Sequence, residues 1–198
     1  MLLVFENGIS SREVVIIFCP TGVLHGVSLH AATLKDDGTG TLLERNPVLY
    51  TTSMATFEQC VSKELSETLH TGIFGGCNCL IKFPLSHSGK ARVLLFIICG
   101  DELLGIVSAL LCTGAASVIR AMWKVKVGTA RLFTAELATR LNDVTALDGD
   151  EKGLVNLTVT AQQTVIRLKR RCEGGTHYLY KWATFVLNGS WMICRRKA

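Results

Sequence analysis

Few residues in this chain combine a reactive side chain with a position where it could be used. Cys99 closes the apolar run 92–98, RVLLFII, and Gly100 follows it directly. A cysteine at the carboxyl end of a parallel strand stands where open α/β sheets place their ligand crevices. The reactive form of a cysteine there is the thiolate. His87 stands in a Ser/Gly stretch just ahead of that run. Asp101 and Glu102 open a helix behind Cys99; its amino-terminal field favours thiolate and the two carboxylates oppose it, so Cys99, if exposed, is expected to be the most reactive of the eight thiols. His25 and His30 lie in the compact stretch 22–32, where each could be catalytic or a hydrogen-bonded structural residue. Cys77 and Cys79 lie near His70 and His87, but C-x-C is not the spacing of common structural zinc sites and no second cysteine pair follows. No metal and no cofactor is expected.

Strands and helices alternate around Cys99. After the run 92–98, Leu103, Ile106, Val107, Leu110 and Leu111 recur at helical spacing up to Gly114. A second apolar run covers 117–123, and Ala130, Phe133, Leu137 and Leu141 mark another helical stripe. Short loops between such elements predict a parallel sheet covered on both faces. Residues 14–19 (VVIIFC), 48–50 and 182–187 (WATFVL) read as further strands, and 78–85 as a weaker one because of Pro84 and Lys82. Ser53 caps a helix to about residue 69, broken by the glycines of 72–76. Residues 143–153 read as a loop. Leu154, Leu157, Ala161, Val165 and Leu168 mark one face of the last long helix, ended by Gly174-Gly175.

With 198 residues, 48% of them hydrophobic and 19% charged, the chain is expected to be one domain over 1–198 with a large interior. Its apolar runs are far too short to cross a bilayer, and MLLVFENG lacks the basic flank and cleavage site of a signal peptide, so a cytoplasmic protein with no membrane partner is expected. The eight cysteines are scattered through apolar segments and are expected to be reduced. The net charge of +5 comes largely from 167–171 and 195–197. No aromatic residues interleave with these charges as a stacking surface would need, so no nucleic-acid partner is expected.

Four segments resemble the CHAT family, the caspase-like cysteine-peptidase domain often found after tetratricopeptide repeats, in the form common in fungal proteins. Gly22 to Ala32 resembles G-x-L-H-x-x-P-x-H-A, and Leu42-Leu43-Glu44-Arg45 through Tyr50 to Ser53 resembles LLE-R/H…Y-x-x-S. Gly100-Asp101-Glu102-Leu103-Leu104-Gly105 and the residues to Trp123-Lys124-Val125 resemble GDELLG…ALL…GA-x-SV…LWxV. Trp182 to Trp191 resembles W-A-x-F-x-L-x-G-x-W.

The resemblance implies a three-layer caspase-like α/β sandwich with a mainly parallel central sheet, and a His-Cys dyad at the carboxyl ends of adjacent strands. It also implies a protein or peptide substrate or partner, and tetratricopeptide repeats in a longer parent chain. Cys99 matches the family's cysteine, with Ile97-Ile98 in place of Ser-Ala. The family ends the preceding strand in His-Gly, matched here by His87-Ser88. Only four residues separate His87 from the strand that starts at Arg92, too few for a parallel crossover. A turn is therefore expected, with the two elements antiparallel if they pair at all and His87 roughly 20 Å from Cys99. The family's acidic pair is also missing at Lys126-Val127, and its insertion between the cysteine and GDELLG is absent. The sheet is thus expected to be incomplete around the catalytic centre. Two functions follow: a degenerate, non-catalytic CHAT-like module or fragment acting in protein interaction, and a cysteine endopeptidase using Cys99 and His87.

Overall fold

The computed structural model describes residues 14–34, 40–64, 70–75, 92–97, 103–112, 115–147, 154–172 and 178–194. In chain order they form β1 (Ile16–Phe18), two 3-10 turns (Gly22–Gly26 and Leu29–Ala31), α1 (Leu42–Arg45), β2 (Val48–Tyr50), α2 (Met54–Glu64), β3 (His70–Gly75), β4 (Arg92–Ile97) and α3 (Leu103–Cys112). Then come β5 (Ser117–Ala121), α4 (Val127–Leu147), β6 (Leu154–Asn156), α5 (Leu157–Cys172), α6 (Tyr178–Trp182), β7 (Phe185–Gly189) and β8 (Met192–Cys194). The main sheet has the order β1-β2-β7-β5-β4-β3. Among its described pairings only β5 with β7 is antiparallel. The strand directions therefore split into two sets: β3, β4 and β5 run one way, and β1, β2 and β7 the other.

The sheet is covered on both faces, and β5 shows how. Neighbouring residues of a strand point to opposite faces. Val118 packs with Cys60 of α2 and Val107 and Leu111 of α3, whereas Ile119 and Ala121 join the larger core with Phe133 and Leu137 of α4 and Val165 and Leu168 of α5. This is the three-layer arrangement the periodicity predicts. The closing motif supplies much of the larger core: Trp182 is fully buried, and Phe185 stacks on Phe133 with ring centroids 3.9 Å apart.

Part of the basic cluster 167–171 holds helices together. Glu136 of α4 accepts from Arg140 at 3.1 Å and from Arg167 of α5 at 2.7 Å, with Arg171 3.7 Å away. Burial pushes the Glu136 carboxyl up, but the Arg167 hydrogen bond and the charges of Arg167, Arg140 and Arg171 outweigh it and hold the group below the usual carboxylate range. Lys169, buried on α5, reaches Glu44 of α1 at 2.7 Å and lies 5.4 Å from the centroid of the Trp182 ring. Glu44 closes a capping box with Thr41, so one carboxylate serves both the α1 start and the α5 contact.

Several boundaries differ from the sequence expectation. The strand expected over 14–19 is Ile16–Phe18, and that over 182–187 is Phe185–Gly189, with Trp182 in α6. α2 is described to Glu64, and the glycine-bearing residues after it form β3 rather than a break. α4 runs on to Leu147 through residues expected to be loop. Leu154 belongs to β6, paired with β8, because Asn156 ends the strand and its Oδ1 accepts from the Val159 N–H at 3.1 Å, capping α5. The possible strand at 78–85 lies outside the described residues. No described helix is long and apolar enough to cross a membrane.

Candidate functional site at the carboxyl edge of the sheet

β3 and β4 pair in parallel over six residues, from His70 opposite Arg92 to Gly75 opposite Ile97. β4 pairs in parallel with β5, Leu95 opposite Ile119, so the register brings Ile97 level with Ala121. The carboxyl ends of three strands thus form one edge, and Cys99 follows the middle strand by two residues. Cys99 and His87 both lie outside the described residues, as do Cys77 and Cys79. The turn expected between residues 85 and 92 also lies outside the described residues. The sheet neighbour of β4 on this side is β3, and it is parallel. Residues 76–91 separate the two strands, a connection long enough for the crossover a parallel pair requires.

This changes which residues stand beside the end of β4. The element that ends there is β3, and its last residues are Phe74 and Gly75. The resemblance implies that the strand beside the one leading to the cysteine ends in His-Gly. The histidine of β3, His70, stands at the amino end, opposite Arg92 and five residues away, roughly 17 Å along the strand.

The stretch 22–32 packs across the sheet near the start of β7. The Ser28 hydroxyl, at the position where the resembled motif has proline, donates to the Ala183 carbonyl and approaches the Met122 sulfur at 3.6 Å. His30 is 1% exposed. Its backbone N–H donates to the Tyr50 hydroxyl at 3.2 Å, its Nδ1 lies 2.9 Å from the same oxygen, and its ring packs edge-on against Tyr50 and Trp182. Burial lowers its pKa to about 4, so the ring is neutral at neutral pH. The cavity it lines, with Tyr50 and Val165 among others, has a volume of about 20 Å³, room for a water molecule and no more. Of the two roles open to His30, the structural one is what this geometry provides.

His25 is half-buried in a 3-10 turn that has no buried residue. Its pKa is lowered, first by burial and then by the positive charge of Arg120 on β5. Tyr50 feels the same charge, although burial dominates and raises its pKa. Beside this stretch lies an open groove of about 560 Å³, lined by Gly26, Val27, Leu29, Trp123, Leu179 and Tyr180 among others. Trp123 forms part of its wall from just beyond β5, with its indole N–H donating to the Tyr180 carbonyl at 3.1 Å. The sequence did not reveal this groove, because α6 falls where a strand was expected to begin. Among the described residues no three His, Cys, Asp or Glu side chains converge as metal ligands would.

No curated protein matches the chain. The CHAT domain family model matches residues 87–190, just over half of the 198. Its span takes in β4, α3, β5, α4, α5 and the closing strand β7, which supply two of the three strands of the parallel edge and much of the larger core. With these elements assembled into a mixed α/β domain around a mainly parallel open sheet, the chain belongs to the CHAT domain family.

Proposed function

We propose that this CHAT domain is non-catalytic and acts by binding a protein partner. The observation that carries this reading is the β3–β4 register. It sets Phe74-Gly75 at the carboxyl edge beside the strand that leads to Cys99, where the resemblance implies an imidazole. A benzyl side chain can neither accept the thiol proton nor deliver one to a leaving amine, both of which peptide cleavage by cysteine requires. The open groove fits a binding role, because Val23, Leu24, Val27, Leu179 and Tyr180 are exposed on the segments that wall it; Val23 is 89% and Tyr180 64% exposed. Contiguous apolar exposure of this kind marks surfaces that meet a partner.

Incubating the full chain with a broad library of protein-derived peptides, and reading new termini by mass spectrometry, tests the proposal. The expected result is the same set of termini for the unaltered chain and for Cys99→Ala. Cleavage that disappears in Cys99→Ala and in His87→Ala would overturn it and restore the endopeptidase reading with that dyad.

A further inference from the structure

Arg120 lies inside the sheet, on β5, and is 5% exposed. No carboxylate among the described residues pairs with it, and its Nε is buried without a hydrogen-bond partner. An isolated buried guanidinium is strongly disfavoured, because a fixed charge taken out of water keeps its desolvation cost unless a counter-ion offsets it. A second unpartnered donor stands close by. Asn188 of β7 is 2% exposed and its Nδ2 is also without a partner. The register fixes their relation: Arg120 is opposite Val186 and Val118 is opposite Asn188, so Arg120 and Asn188 are diagonal neighbours on one face of the antiparallel pair. Such residues have Cα atoms about 7–8 Å apart, which lets a long side chain and an amide converge on one small ligand.

We propose that Arg120 and Asn188 form a binding site for a single carboxylate at the seam between β5 and β7. The charge sets the valence. One guanidinium balances one negative charge, and His25, which feels the Arg120 charge, is held toward its neutral form. A doubly charged phosphate would leave a buried excess. The planar fork of the guanidinium matches the two oxygens of a carboxylate, and the Asn188 amide adds a donor to one of them. The site is independent of whether the chain cleaves peptides. A free small carboxylate and the side chain of an acidic peptide would use the same contacts.

The test follows the Arg120 Nε–Hε signal by NMR in the full chain, titrated at constant ionic strength with sodium acetate, with sodium chloride, and with capped Gly-Asp-Gly and Gly-Asn-Gly peptides. The signal is expected to move saturably with acetate or with the Asp peptide, and not with chloride or the Asn peptide. Acetate alone would identify a free small carboxylate as ligand, and the Asp peptide alone an acidic segment. Arg120→Met is expected to weaken the carboxylate-dependent rise in melting temperature about tenfold or more in apparent affinity. If that variant does not fold, the unaltered chain's NMR titration still decides. An unmoved signal, an equal response to chloride, or a resting signal displaced by Asp101→Asn or Glu102→Gln would overturn the proposal. The last outcome would show the chain's own carboxylate already in place.

Discussion

Gly189→Ala is expected to remove a large part of the stability of the domain. Gly189 closes β7 with φ +102°, a conformation that L side chains rarely adopt. A Cβ placed there would lie 2.3 Å from the Ala116 carbonyl oxygen, and 3.0 Å from Leu111 Cδ2 and Ser117 Cα. The oxygen cannot retreat freely, because it accepts the Ser190 N–H at 2.8 Å. Ser117 is also tied down, donating its hydroxyl to the Ser190 carbonyl at 2.8 Å. Backbone strain and overpacking act together, for a cost of about 3 to 5 kcal/mol. Domains of this size are stable by only about 5 to 15 kcal/mol. Urea unfolding monitored by circular dichroism should show a large drop in midpoint. Gly128→Ala is the control: a Cβ there meets nothing within 4 Å, and the site lies in the first turn of α4. Equal midpoints for the two variants would refute the account.

The second large effect is acid sensitivity centred on His30. Its folded pKa of about 4 lies below the ordinary 6.5, so between those values the unfolded chain binds a proton that the folded chain refuses. Stability is therefore expected to fall as pH drops from about 6.5 to about 4, by about 3 kcal/mol in total. His25 is lowered too, but it is half-buried and contributes less. Glu44 and Glu136 are lowered by their basic partners despite burial, so what they contribute is lost only on further acidification, below the ordinary carboxylate pKa. Melting temperature against pH should flatten across the upper window in His30→Phe, although that variant starts lower for want of the Tyr50 hydrogen bond. An unchanged slope in His30→Phe would assign the acid sensitivity elsewhere.

The elements legible in the sequence are those whose own chemistry specifies them. Val48 to Tyr50, Arg92 to Ile97 and Ser117 to Ala121 are apolar, largely β-branched or aromatic runs, and they emerge as strands in one sheet. β3 was hidden because His70-Thr71-Gly72-Ile73-Phe74-Gly75 has weak strand propensity; its strand state comes from six-residue pairing with β4, a contact no local pattern reports. β6 was hidden by a coincidence of spacing. Leu154 and Leu157 fall three apart, as on one helix face, yet Asn156 stands between them as the cap. At the candidate site the sequence could not separate His30 from His25, since the difference is burial, and Cys99 and His87 lie outside the described residues. That Arg120 lacks a counter-ion among the described residues is a property of the assembled sheet.

The split strand directions bear on how the chain is made. β7 sits between β2 and β5, yet it is the last strand of the main sheet to be synthesised. Until residues 185–189 leave the ribosome, β2 on one side and β5 on the other each present an open inner edge with unpaired backbone groups. Such edges recruit other strands, so the nascent domain is exposed to misassembly for most of its translation. Ribosome-held chains ended at Thr184 should therefore be captured by chaperones far more than chains long enough to expose Gly189. Equal capture of the two would mean that the halves protect themselves before they are joined.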